Sequence, residues 1–213
     1  MSDYAWFGIA ILVSYALGSI SWGVIITKFL GTPNLRTTGS GSTGMTNVMR
    51  SAGILPSIVV LILDTSKGIL AILISGYIGN SLEISSGQEF LDMSCGLAAL
   101  IGHNWSIFLG FHGGKGIATG LGALLVLSPW LGIAGLSAFL PVTLLSKYVS
   151  LGSMVGLIVG GGGLLVCSIL GIYPTGHGLY GGIGIIIIIY RHTENIQRLL
   201  SGTEARLGKK IKP

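Results

Sequence analysis

Charge is scarce in this 213-residue chain: Asp, Glu, Lys and Arg make up only 9% of it, and just seven residues are acidic. So little charge argues against a water-facing surface, whereas 50% apolar residues and a mean hydropathy of +0.81 indicate an integral membrane protein. Cysteine is nearly absent. Cys95 and Cys167 both lie within apolar runs and read as small buried hydrophobes, not as a disulfide or metal site. There is no acidic cluster to hold a metal, and neither a metal nor another cofactor is expected. The N-terminal stretch lacks a basic n-region and a small-residue cleavage site, so it reads as a first membrane helix and not as a removed signal. Internal repeats and an aromatic-interleaved basic stripe are missing too. The net charge of +5 therefore does not indicate nucleic acid.

What is abundant is glycine, 36 residues, which lets membrane helices approach closely and leaves backbone amides reachable in loops. A bilayer core about 30 Å thick takes roughly 20 helical residues. The apolar runs predict an all-α polytopic fold in one domain, 1–213, with seven transmembrane helices: Tyr4 to Thr27, Ile54 to Gly79, Phe90 to Leu109, Ile117 to Ser128, Trp130 to Ser146, Leu151 to Gly171 and Leu179 to Tyr190. Some are short. With the N-terminus outside and the C-terminus cytoplasmic, eleven of the twelve Lys/Arg fall on the cytoplasmic side; the twelfth, Lys67, lies within a span. That bias follows the positive-inside rule. It requires Ile117 to Ser146 to enter and return, with Ser128-Pro129-Trp130 as the turn. The alternative, one long tilted helix, would place every later loop on the wrong side.

Between the first two spans lies GSGSTGMTNVMR, Gly39 to Arg50, with no acidic residue. Gly39, Gly41 and Gly44 satisfy G-x-G-x-x-G, but that dinucleotide fingerprint needs a strand before it, and here the neighbours are membrane spans. The local physics reads as an oxyanion cradle: small residues expose amides, Ser40, Ser42, Thr43 and Thr46 add hydroxyls, a helix starting near Asn47 adds its positive end, and Arg50 adds a bidentate cation. A flexible cytoplasmic loop is the plainer alternative. A second stretch on the same side, FHGGKGIATG, Phe111 to Gly120, repeats the chemistry with Gly113, Gly114 and Lys115. It is not a Walker A loop. Two such loops suggest two phosphate groups.

The tail RHTENIQR, Arg191 to Arg198, places His192 and Asn195 at i and i+3 on one helical face. For Arg206, Lys209, Lys210 and Lys212 an anchor on anionic lipid is the preferred reading. Asp64 and Lys67 are three apart within a span and read equally as a structural ion pair and as catalytic groups. His103, beside Asn104, is open in the same way.

GSGSTGMTNVMR, DTSKG, GHNWSIFLGFHGGKGIATG, KYVSL and RHTENIQRLLSGTE, in this order, resemble the motifs of bacterial membrane-integral glycerol-3-phosphate acyltransferases that use acyl phosphate as donor. The resemblance implies seven membrane helices with the active site at the cytoplasmic face of the inner membrane. It also implies acyl transfer from acyl phosphate to the sn-1 hydroxyl of glycerol 3-phosphate, giving lysophosphatidic acid and phosphate. Carried over by position, Ser40, Thr46, Asn47 and Arg50 match the first motif, His103 and Lys115 the third, Ser150 the loop after Lys147, and His192 and Asn195 the last. Ser42, Met45 and Ser106 depart from the family pattern, which has Asn, Ala and Pro there.

Candidate catalytic residues are therefore Ser40, Lys115 and His103. Candidate substrate-binding residues are Gly39, Gly41, Thr46, Asn47, Arg50, Gly113, Gly114, Ser150, His192 and Asn195. Membrane lipids are the other expected partners. No H-x-x-x-x-D motif of the acyl-CoA-using acyltransferases occurs. For the proton, a donor phosphate oxygen is the favoured acceptor, with His103 and His192 as other candidate bases and an acyl-Ser40 intermediate as the rival route. A transporter of phosphorylated solutes would use the same loops as gates, but the missing repeat speaks against it. A non-catalytic lipid-binding scaffold would not account for two matched loops.

Overall fold

Helices cover most of the chain because apolar residues run almost unbroken between short polar loops, and lipid leaves the backbone no partner but itself. The computed structural model describes residues 3–32, 34–84 and 86–207, and among these there is no strand. The lysines at 209, 210 and 212, for which a lipid anchor is expected, lie outside the described residues.

In chain order the helices are α1 (Asp3–Ser19), α2 (Trp22–Phe29), α3 (Met45–Ala52), α4 (Ile54–Ser81), α5 (Gln88–Asn104), α6 (Ile117–Leu127), α7 (Pro129–Ser146), α8 (Val149–Leu157), α9 (Gly163–Ile169), α10 (Thr175–Arg191) and α11 (Thr193–Leu200). A π-helical turn, Ile158–Gly162, joins α8 to α9. Four segments are long and apolar enough to cross a membrane: Tyr4–Phe29, Ile54–Ser81, Pro129–Ser146 and Val149–Ile169. α5 and α10 have 17 residues each, and α6 has 11.

Three differences from the sequence expectations have physical causes. The first apolar segment is broken between Ser19 and Trp22, which leaves the Ser19 carbonyl without a helical partner; the Ser106 hydroxyl donates to it at 2.6 Å. Ser106 is one of the departures from the family pattern, and its hydroxyl serves structure here. The third apolar segment stops being α-helical at Asn104, five residues before Leu109, and a 3₁₀ turn, Ile107–Leu109, follows. The chain also bends at His192, which ends α10 and precedes α11. His192 and Asn195 are therefore not on one face of a single helix, yet both are buried. The turn at Ser128–Pro129 forms as expected, with proline in the first turn of α7.

α5 packs against α1, α4 and α10. The chain of contacts α4–α6–α7–α8 and the π turn–α10 returns to α5 and closes a ring. α4 and α6 approach backbone to backbone. A Cβ on Gly68 would lie 2.0 Å from the Thr119 carbonyl oxygen, and one on Gly122 would lie 2.0 Å from that of Thr65. Small residues permit this contact where no hydrophobic force drives helices together. Lys67 links α4 to α1: its ammonium is 2.7 Å from Asp64 and donates to the Gly18 carbonyl at 3.3 Å. The Asp64–Lys67 pair thus ties α4 to α1, and Asp64 also lines the central cavity. At the far end of the bundle, Asp92 accepts hydrogen bonds from Ser75 at 2.5 Å and Gln88 at 2.7 Å, and lies 3.1 Å from His177. That knot joins α4, α5 and α10.

The α4–α6 contact yields a stability prediction. Gly122→Leu forces the two backbones apart and destabilises the protein by about 2–3 kcal/mol. Thermal unfolding in detergent measures it, with Gly76→Leu as the control, since a Cβ on Gly76 meets nothing within 4 Å.

Candidate active site

Inside the ring lies a cavity of about 630 Å³ whose wall is polar at one end and apolar along the rest. The polar end is built from helix beginnings. Met45 and Thr46 start α3, Ile117 and Ala118 start α6, Val149 and Ser150 start α8, and His192 and Asn195 flank the start of α11; all line the cavity. The first amides of a helix have no partner within it and carry its positive end. Four such ends meeting at one place, with Arg50 and Lys115 beside them, make a site for anions.

Nine of the thirteen candidate residues line this cavity: Ser40, Thr46, Asn47, Arg50, His103, Lys115, Ser150, His192 and Asn195. The four glycines do not. Gly39 and Gly41 sit in an exposed turn, with φ of 61° and 66°. Gly113 and Gly114 are buried against α5, where a Cβ would lie 2.2 Å from the His103 carbonyl oxygen and 2.1 Å from its Nε2. Their glycine is required by backbone shape and close packing.

Several loop amides expected to face a ligand are engaged internally. Ser40 N donates to Asn47 Oδ1, Gly41 N to the Thr38 carbonyl and Gly114 N to the His103 carbonyl. The Asn47 amide in turn donates to the carbonyls of Leu35, Thr38 and Ser42 at 2.9–3.0 Å. Asn47 thereby holds the first loop in shape, and the helix ends carry the anion-attracting role in its place.

Lys115 donates to Asn195 Oδ1. Burial first, and then the nearby Arg198, lower its ammonium to about 8. Burial likewise lowers His192 to about 4, leaving it neutral at pH 7. Its Nδ1 lies 2.8 Å from the Ile188 carbonyl oxygen. A carbonyl can only accept, so Nδ1 carries the proton and Nε2 keeps a lone pair. His103 is wedged beneath Gly114, with Nδ1 3.7 Å from Asp64.

Two residues that brace the site carry no role in the sequence analysis. Glu204 lies in the cavity wall and accepts hydrogen bonds from Ser150, Asn195 and Arg198, each at 2.7 Å. Burial pushes its carboxyl up, but these three bonds outweigh it and hold the carboxyl below its usual value. A carboxylate so engaged is an anchor, not a base. Arg191 donates through Nε and Nη2 to the Gly114 carbonyl at 3.2 and 3.1 Å, and lies over the Trp105 ring, 5.5 Å from its centroid. The signal for Glu204 was a lone acid after Gly202 in an otherwise basic tail.

The family profile described as Glycerol-3-phosphate acyltransferase matches residues 8–202. The chain belongs to the glycerol-3-phosphate acyltransferase family. Among similar members, the glycerol-3-phosphate acyltransferase of Trichormus variabilis is 39% identical, covering 96% of this chain and 93% of the relative. That of Laribacter hongkongensis is 37% identical, covering 95% and 97%. The fold resembles the crystal structure of PlsY, an integral membrane glycerol 3-phosphate acyltransferase, in its glycerol 3-phosphate form. That likeness has a TM-score of 0.84 at 36% identity, over 95% of this chain and 96% of the other. Its lysophosphatidic acid form gives 0.81 at 35% identity, over 95% of each chain. This acyltransferase-family chain is therefore a membrane-embedded helical protein.

The Glu204 network predicts an acid response. Because the folded carboxyl is held low, its stabilisation is present above the unfolded carboxylate pKa and is lost as pH falls through the folded value. Glu204→Ala lowers stability by about 2–3 kcal/mol at neutral pH, and the difference in Tm from the parent narrows as the buffer is acidified. An equal Tm difference at every pH would contradict the network.

Proposed function

We propose that the protein transfers a fatty acyl group from acyl phosphate to the sn-1 hydroxyl of glycerol 3-phosphate, releasing lysophosphatidic acid and inorganic phosphate. The observation that carries this reading is the cavity itself: four helix beginnings, Lys115 and Arg50 at one end, and apolar side chains of α4, α6 and α7 along the rest. One continuous space thus suits both phosphorylated heads and an acyl chain. Ile62 lines it and is 60% exposed on the apolar outer surface, which offers a lipid-borne donor a sideways entrance.

The chemistry follows from the donor. An acyl phosphate is a mixed anhydride, so the hydroxyl oxygen bonds to the acyl carbon, the carbon–phosphate oxygen bond breaks, and the electron pair leaves with phosphate. A departing phosphate oxygen takes the hydroxyl proton. Lys115, Arg50 and the amides of Met45 and Thr46 stabilise the oxyanion and the leaving group. His192 Nε2 accepts a hydrogen bond from the glycerol hydroxyl and aligns it, Ser40 positions the donor, and Asn195 holds Lys115 in place. His103 supports the Lys115 loop from below. Fixing both reactants supplies several kcal/mol of the rate enhancement. Charge neutralisation by these residues serves the reaction without a metal.

The same proposal includes location. Seven segments, α1–α2, α4, α5, α6, α7, α8–α9 and α10, cross the inner membrane with the N-terminus outside, the polar end of the cavity cytoplasmic and α6 a short arm of about 16 Å. The support is that this orientation gathers Lys28, Arg36, Arg50, Lys115, Lys147 and Arg191, all in loops or at helix ends, on one side, as the positive-inside rule requires.

The test gives purified protein in lipid a long-chain acyl phosphate, with and without glycerol 3-phosphate, and an acyl-CoA control. Phosphate release that depends on the acceptor and matches lysophosphatidic acid formation is expected, with at least a 100-fold loss in Lys115→Ala. Trapping of an acyl-enzyme from donor alone would replace the direct route by one through Ser40. Turnover with acyl-CoA alone would overturn the donor assignment. Because the Lys115 ammonium is present below about 8 and lost above it, kcat/KM for glycerol 3-phosphate falls as pH rises through that value. A flat profile across this range would remove Lys115 from the charged role.

A further inference from the structure

We infer that Tyr180 and Gly184 set the length of acyl chain the enzyme takes, Tyr180 as the floor of the cavity and Gly184 as the gap that keeps it open halfway down; this rests on the acyl-phosphate reading above. α10 carries five glycines, and they are not alike. A Cβ on Gly176 would lie 2.4 Å from the Glu89 carbonyl oxygen, one on Gly178 would lie 2.3 Å from Ser168 Cβ, and one on Gly181 would lie 2.4 Å from the Gly161 carbonyl oxygen, so neighbouring elements require all three. Around Gly184 the nearest atom to an added Cβ is Leu100 Cδ2 at 3.9 Å, an ordinary contact. Helix packing has no need of glycine there, and glycine weakens a helix relative to alanine. Gly184 does line the cavity. The space it leaves is therefore space for ligand.

Tyr180 lies one helical turn deeper. It lines the cavity, is 4% exposed, and belongs to the packed cluster with Ile72, Leu124 and Leu164 that closes the space behind it. Its hydroxyl donates to the Gly120 carbonyl at 2.9 Å, which fixes the ring across the cavity from α10 to α6. The ring edge rests on α5, where a Cβ on Gly96 would lie 2.8 Å from Tyr180 Cε2. A smaller side chain at 180 opens room toward Gly96, and a larger one at 184 fills room above it.

The scale matches a fatty chain. Gly184 and Tyr180 are eight and twelve residues before His192, or about 12 Å and ~18 Å along the helix. Carbon bonds of about 1.52 Å meeting near 111° advance ~1.25 Å per methylene. A chain that runs along α10 from the level of His192 reaches Gly184 near its tenth carbon and the Tyr180 backbone near about its fourteenth, while the Tyr180 ring reaches back up to Gly120.

The experiment measures kcat/KM for acyl phosphates from well below to well above about fourteen carbons, in the parent and in Gly184→Leu, Gly184→Ala and Tyr180→Leu. The ratio of long-chain to short-chain kcat/KM falls at least tenfold in Gly184→Leu and several-fold in Gly184→Ala. In Tyr180→Leu the preferred length moves upward. Tm is read on every variant. Should Gly184→Leu or Tyr180→Leu fail to fold, Gly184→Ala still tests the gap, because its single methyl makes only an ordinary contact. A Gly184→Ala ratio equal to the parent's overturns the inference, as does a folded Tyr180→Leu with an unmoved length preference. Failure of the parent to use any acyl phosphate would instead refute the donor reading, a distinct outcome.

Discussion

A helix that begins inside a membrane protein leaves amides that neither lipid nor its own backbone can satisfy, and the rest of this structure is arranged around that constraint. α3, α6, α8 and α11 all begin at one cavity, so their unsatisfied ends add into a single positive site instead of remaining four separate penalties. The broken connectivity of the chain, with its short helices and polar loops, is what creates those ends. A bundle of uninterrupted spans would have none. The proposed function resides where regular structure stops.

Holding four helix ends at one point demands rigid surroundings. Glycine provides it on the inside of the ring, where α4 and α6 meet carbonyl against Cα and no side chain can slip between. Polar ties do the same at the edges. Glu204 gathers Ser150 of α8, Asn195 of α11 and Arg198 around one carboxylate, and Asn195 passes that order on to Lys115. Arg191 fixes the Gly114 carbonyl from the end of α10. The Lys115 cation, which we propose meets the substrate, is thereby positioned by residues from three other elements, so the charge is set in place before a ligand arrives, and little reorganisation remains for the reacting state.

Much of the architecture was legible in advance. Apolar runs located the helices to within a few residues, Ser128-Pro129 marked the hairpin, and the two hydroxyl- and glycine-rich loops marked the polar end. Proline, charge and hydropathy act locally or along the chain axis, which is why composition alone exposes them. The direction of the loop amides is not legible in the same way. Whether Ser40 N or Gly114 N faces a ligand or a neighbouring carbonyl depends on atoms up to eleven residues distant, and spacing carries no record of that choice.

By itself the sequence determined that this is a helical membrane protein, and through ordered motifs it identified the acyltransferase family. Those properties follow from local composition and order along the chain. Only the tertiary structure decided that Gly39, Gly41, Gly113 and Gly114 shape the backbone away from the cavity while Glu204 and Arg191 brace it, and that Gly184 leaves a gap its neighbours do not require. Each of those assignments depends on which atoms lie opposite a residue after helices remote in sequence have packed, and that information exists only once the ring has closed.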